Sequence, residues 1–280
     1  MSVKIITDST SDLLLEEAYK MGVGVVPLKV IIGDEEYRDG IDITKEEFFA
    51  KLPTLKKLPT TTQPSPDDFA QRYEAAQADE LVVITVGSGI SGTFQSATIA
   101  AESVTGKKIY LVDSLQASVG LGILVRRAVE LRDQGLSGAE IAAKLDEEKH
   151  DIVLLAVINN ITNLYKSGRM SKGTMLVGSV LGIKPVVTLR PHGVDAIGKE
   201  RGTAKAYQFV RDTATGMGVL DESRPCAIGY TADRTIVDGF REVMGTEWCP
   251  DNIHVDAVGS AIGTHLNAGA IVYVYFKKHA

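Results

Sequence analysis

Short apolar runs and stretches of helical period alternate along the first half of the chain. Residues 3–7, 23–26, 81–85 and 108–113 are compact and rich in β-branched side chains, the pattern of buried strands. Between them the apolar positions return to helical spacing. Leu14, Ala18 and Met21 share a face, with Gly22 as the stop and the polar run Asp8-Ser9-Thr10-Ser11-Asp12 as a cap. Thr44 and Glu47 box a short helix, Ser65, Pro66 and Asp68 open another, and Ser137 with Glu140 begin one that reaches about residue 149. A longer helix over residues 118–134 ends at Gly135, and Gly33-Asp34 joins residues 28–32 and 35–37 as a hairpin. Strands alternating with helices predict a parallel sheet covered on both sides, with ligands at the carboxyl ends of its strands.

The rhythm changes after His150. Residues 152–158, 183–189, 194–198, 226–230, 253–258 and 270–276 read as six strands, with helices over 171–181, 204–215 and 233–244 and a hairpin turn at Pro191-His192-Gly193. The expectation is an α/β protein of two domains. Residues 1–150 form an N-terminal three-layer α/β/α parallel-sheet domain. Residues 151–280 form a C-terminal two-layer α/β domain with a six-stranded mixed, largely antiparallel sheet.

The first half turns on residues 81–97. A buried strand breaks into Gly87-Ser88-Gly89-Ile90-Ser91-Gly92-Thr93, and a helix follows with Ser91 or Thr93 as its N-cap. This geometry offers backbone N–H groups and hydroxyls to an anion, or it is a plain strand-to-helix turn. Gly87 and Gly92 have phosphate-loop spacing, but Thr93 stands where the lysine belongs. Neither Ser88 nor Ser91 sits in a G-x-S-x-G elbow. Farther back, prolines hold Thr60-Thr61-Thr62 extended, as a rigid connection or as a fixed array of hydroxyls. In the second half, residues 166–171 make a basic loop around Arg169, a candidate for a salt bridge or an anion. Residues 263–269 set His265 in a loop of small residues before the last strand.

Composition narrows the choices. The 280 residues carry a net charge of −6, which argues against a nucleic-acid surface. Cys226 and Cys249 have no metal-ligand spacing, so a reducing cytoplasm is the expected location. The five histidines are scattered, the opening residues lead to the expectation of no signal peptide, and no apolar run approaches the ~20 residues of a membrane span.

In order, Thr7 to Leu13, Tyr37 to Asp42, Pro59 to Ser65, Ser88 to Ala97, Val112-Asp113-Ser114, Gly168 to Ser171, Leu181 to Pro185 and Ile262 to His265 make the chain resemble the DegV family of fatty-acid-binding proteins. That resemblance implies one long-chain fatty acid held between two α/β domains. It places the carboxylate at Thr61, Thr62, Ser91 and His265, and assigns Arg169 and Arg201 to the headgroup region or to kinase docking. It implies no cofactor and no metal, no catalysis by the chain itself, and a separate fatty acid kinase that converts the bound acid to an acyl-phosphate for phospholipid synthesis. Transient contact with a membrane surface belongs to the same picture. The chain departs from the family pattern at Gly87, Thr62, Ser167 and Leu266-Asn267-Ala268, the last of these altering the segment that aims the imidazole. A regulator that senses lipid state would share the same binding site. The reading from another class is a stand-alone hydrolase or phosphotransferase using Ser91 and His265 as nucleophile and base. The missing elbow, the missing lysine and the lack of a carboxylate cluster for Mg²⁺ count against it.

Overall fold

A computed structural model of the chain describes residues 2–170 and 182–278. The chain runs β1 (Val3–Asp8), α1 (Leu15–Lys20), β2 (Val23–Val26), β3 (Lys29–Ile32), β4 (Glu35–Arg38), α2 (Lys45–Lys51), β5 (Thr60–Thr62), α3 (Pro66–Ala75), β6 (Glu80–Thr85), α4 (Thr93–Ser103), β7 (Lys108–Asp113), α5 (Val119–Asp133) and α6 (Gly138–Glu148). It continues with β8 (Ile152–Val157), α7 (Thr162–Lys166), β9 (Ile183–Arg190), β10 (Gly193–Arg201), α8 (Thr203–Met217), β11 (Ala227–Tyr230), α9 (Ile236–Met244), β12 (His254–Ala257), α10 (Ser260–Leu266) and β13 (Ile271–Phe276). The helix expected over 171–181 lies outside the described residues.

Strands β2-β1-β6-β7 form a parallel sheet in that order. Successive side chains of a strand point to opposite faces, and both faces are apolar. Ile6, Leu81 and Val83 pack under Phe69 and Tyr73 of α3 and Ala97 and Ala100 of α4. Ile5, Val82 and Ile84 pack under α5 and α6 through residues such as Leu121, Leu124, Val125 and Ile141. These are the three expected layers. The capping boxes at Thr44–Glu47, Ser65–Asp68 and Ser137–Glu140 all form.

The second sheet runs β10-β9-β8-β13-β11-β12, antiparallel throughout except for β11 with β12. Val153, Leu155, Tyr273 and Tyr275 face α8 and α9, meeting Tyr207, Val210, Phe240 and Met244. Leu154, Ala156, Val272 and Val274 face the other way and join the core around α5. Helix α5 therefore serves both sheets, and its buried length (Val119 to Val125 without a break) reflects two packing partners rather than one.

Four local expectations are corrected. Thr60-Thr61-Thr62 is a strand, β5, paired antiparallel with β3 in a separate three-stranded sheet β4-β3-β5. The run after β1 does not cap α1, whose first turn follows Leu14 without a side-chain bond. Asp8 instead takes the amide and hydroxyl of Thr10 (2.9 and 2.5 Å), closing a single 3-10 turn, and Asp12 turns inward at φ 58°. The N-cap of α4 is Gly92, with Ser91 one place earlier. His265 is in the last turn of helix α10, not in a loop. Gly263 suggested a loop, but it lies inside the helix where a Cβ would come within 2.7 Å of the Phe49 ring.

Candidate functional site

The carboxyl ends of the parallel strands form one rim, tied together by strand-end carboxylates. Asp8 accepts the Val86 amide at 2.7 Å, which joins β1 to the loop after β6. Asp113, at the end of β7, accepts the Ser88 amide at 3.0 Å and its hydroxyl at 2.5 Å. Burial pushes the Asp8 carboxyl up to about 6, against the stabilising donors Thr10 and Val86. The loop also carries the hairpin of the second sheet. A Cβ at Gly89 would overlap the Pro191 carbonyl at the hairpin tip. Gln63, just after β5, packs against Gly92 and donates to Ser96 at 3.0 Å, so the threonine strand and the serine-glycine loop lie side by side.

His265 closes the group from the opposite side. Its Nε2 is 3.1 Å from Thr61 Oγ1, and its Nδ1 is 3.1 Å from Ser167 Oγ. Burial, reinforced by the Arg169 guanidinium, lowers the imidazole to about 4, so the ring is neutral at pH 7. One ring nitrogen is then a donor and the other an acceptor. Arg169 donates Nε to the Ile90 carbonyl at 3.2 Å and Nη1 to the Ser167 carbonyl at 2.5 Å, which fixes the guanidinium beside the ring. Helix α7 supports the arrangement. Asn163 donates to the Thr264 carbonyl at 2.8 Å and to Asn267 Oδ1 at 2.9 Å.

Two cavities meet at these residues. The smaller, about 340 Å³, is lined by Thr10, Thr61, Ser91, Arg169 and His265 together with aliphatic groups such as Leu28 and Val86. The larger, about 550 Å³, is lined by aliphatic side chains that include Leu154, Ala156, Val187, Leu189 and Val272. Ile90, Arg169, Ile262 and His265 line both. Apart from Ser118, Thr188, Arg169 and His265, the lining of the larger cavity is apolar. Hydroxyls, an imidazole and a guanidinium thus stand at one end of an apolar chamber. Such a set holds an anionic head and accommodates an aliphatic body.

Thr61, Ser91, His265 and Arg169 converge here. Thr62 does not, because strand alternation sends its exposed side chain away from Thr61's. Arg201 is exposed at the end of β10 and lines neither cavity. Ser167 and Thr10 also belong to the site, though the sequence marks Ser167 only as a departure from the family pattern and Thr10 only as part of a strand-end segment, with no binding role for either. Ser167 lay inside a segment read for its charge, and Thr10 inside one read as a cap. Ser91 Oγ is 2.8 Å from Thr93 Oγ1 and accepts the Thr93 amide at 3.3 Å, while both ring nitrogens of His265 face other hydroxyls. The nucleophile–base pair of the hydrolase reading is therefore not formed between them. Among the described residues, no group of three His, Cys, Asp or Glu is placed to hold a metal, and no helix is long and apolar enough to cross a membrane.

Known proteins share both sequence and shape. A DegV domain-containing protein of Caldanaerobacter subterraneus subsp. tengcongensis is 32% identical over 278 residues, covering 99% of each chain. A fatty-acid-binding DegV family protein of Thermus thermophilus superposes with a TM-score of 0.88 at 33% identity, over 99% of this chain and 100% of the other. DegV of Bacillus subtilis, described as a fatty acid binding protein, superposes at 0.84 with 27% identity over 99% and 100% of the two chains. The fatty acid kinase B3 protein of Streptococcus pneumoniae, loaded with linoleic acid, has the same fold at 0.87 and 24% identity, over 99% and 100%. A family model described as "Uncharacterised protein, DegV family" matches residues 2–278, and the chain belongs to that family.

Proposed function

We propose that this protein is a carrier that binds one long-chain fatty acid and presents it to a separate fatty acid kinase. The carboxylate sits among Thr61, Ser91 and His265, with Arg169 beside it, and the acyl tail fills the aliphatic cavity. In this reading the chain divides near residue 150, and the ligand lies between the two domains. The carrying observation is a chamber of about 550 Å³ that is aliphatic in its body and shares its Arg169–His265 wall with a hydroxyl-lined mouth. Each methylene buried there contributes about 0.8 kcal/mol, so the tail supplies most of the affinity and the mouth supplies direction. A neutral His265, a guanidinium and hydroxyls hold the carboxylate ionised without a metal. Phosphorylation belongs to the partner, and the product acyl-phosphate feeds phospholipid synthesis.

The test is mass spectrometry of an organic extract from purified, denatured protein. A stoichiometric fatty acid is the expected result. An empty extract, combined with failure to take up added oleate or palmitate, refutes the carrier reading.

A further inference from the structure

Thr61 and His265 lie far apart in sequence, and their 3.1 Å contact closes a ring of elements. Thr61 is on β5, which pairs with β3 through Val30. Strand β3 pairs on its other edge with β4, from Lys29 opposite Arg38 to Ile32 opposite Glu35. The residue after β4 is Asp39, whose amide donates to the Leu28 carbonyl at 2.9 Å. The Asp39 side chain is buried, and its Oδ1 accepts both the amide of Ser260 at 2.9 Å and the Ser260 hydroxyl at 2.5 Å. Ser260 opens α10, and His265 stands one turn and a half along the same helix. The path from Thr61 through the small sheet to Asp39, across to Ser260, and along the helix to His265 returns to Thr61. Every link in it is a hydrogen bond or a stretch of regular backbone.

The Asp39–Ser260 link joins the small sheet to the helix through one carboxylate, which takes the Ser260 amide and hydroxyl together, so a change at Asp39 can open it. A carboxylate at this end of a helix is favoured by the free N–H groups there. The adjoining Gly259 leaves room for it, since a Cβ at that position would lie 3.3 Å from both Asp39 oxygens and 3.1 Å from Asp12 Oδ1. Asp12 grips the Gly259 amide at 2.8 Å, but it runs to Ser118 at the start of α5 (2.6 Å) and so stands outside the ring. We propose that Asp39 is a positioning residue for the carboxylate site, setting the Thr61–His265 separation by holding the start of the helix that carries the imidazole.

This inference rests on reading the site as a fatty-acid carboxylate pocket, and its first readout needs no ligand. The experiment compares Asp39→Asn with Glu80→Gln, which weakens a buried carboxylate bonded to the Gly138 amide at the start of α6, away from the site. Imidazole ¹H–¹⁵N spectra of delipidated protein report the ring of His265, and calorimetry reports oleate affinity. The expected result is a displaced His265 signal and about ten- to a hundred-fold weaker oleate binding in Asp39→Asn, with neither change in Glu80→Gln. An unmoved His265 signal in Asp39→Asn, or an equal displacement in Glu80→Gln, overturns the proposal. If the His265 signal moves but wild type takes up no oleate, the ring stands and the carrier reading falls. Ser260→Ala, which keeps the backbone donor and removes the hydroxyl, is the milder variant should Asp39→Asn not fold, and it is judged by the same signal.

Discussion

The most informative perturbation is the titration of His265. The ring is held between Thr61 and Ser167 with Arg169 beside it, and the part of its surface left accessible faces the cavity. An imidazolium there loses hydration and meets a guanidinium, which is why the group falls to about 4. Against an ordinary value of about 6.5, the gap corresponds to about 3 kcal/mol. Solvent screening at the partly accessible ring offsets part of this, leaving about 1–3 kcal/mol. The folded histidine binds its proton less readily than the unfolded one. Its contribution to stability is therefore fully present above pH 6.5 and is lost as the pH falls through 6.5 toward 4. Urea unfolding of wild type and His265→Gln across pH 4–7.5 isolates that contribution. The difference between the two curves removes the opposite trend of Asp8 and Asp12, whose raised values are common to both proteins. Wild type should lose 1–3 kcal/mol more than the variant over that range. Direct titration by imidazole resonances should find a midpoint well below 6.5 in delipidated protein, climbing when oleate places a carboxylate beside the ring. Parallel unfolding curves, or a midpoint at or above 6.5 in the empty protein, would refute this account of the site.

Two other substitutions test how the site is assembled. Gly89→Ala drives a methyl group into the Pro191 carbonyl and should cost about 1–3 kcal/mol in urea unfolding as the hairpin tip lifts from the loop; an unchanged midpoint would show that the tip does not pack there. Burial pushes the Asp12 carboxyl up to about 7, so this group takes stability away as pH rises from 4 to 7, against the opposite trend of His265. Asp12→Asn should remove that contribution from the slope, and equal slopes in the two proteins would contradict it.

Much of this architecture is legible in the chain, because buried parallel strands write continuous apolar runs and capping boxes write themselves in two residues. All six strands of the second sheet are expected from the sequence, although β10 and β12 are interrupted by polar residues and only partly buried. Hydroxyls, a charge or a small-residue setting make the segments around Ser91, Thr61, Arg169 and His265 candidates, and the resemblance to the DegV family joins them into one site. What stayed hidden depends on contacts made across the fold. Gly263 signals a flexible segment, yet its purpose is to let α10 approach Phe48 and Phe49. Helix α7 has five residues, too few to show a period, and is held by Asn163 reaching to α10. Ser167 acquires its role only because α7 delivers it to the far side of the imidazole. Thr62 has the same chemistry as Thr61 but not the same face, and a strand hidden among threonines gives no apolar alternation to reveal which is which.

The position of the larger cavity follows from the double duty of α5. That helix covers the parallel sheet from beneath and the second sheet from above, and its first turn begins at Val119. Ala117 and Ser118, immediately before it, line the cavity together with Leu154, Ala156, Val187 and Val272 from the inner face of the second sheet. The chamber thus begins where the helix stops covering that face. The apolar surface left open there belongs to the same continuous core as Leu121 and Leu124, so an aliphatic occupant extends the core instead of resting on a separate pocket. In the proposed carrier reading, binding and folding draw on one surface, and the polar groups at the mouth choose which end of the ligand stays outside it.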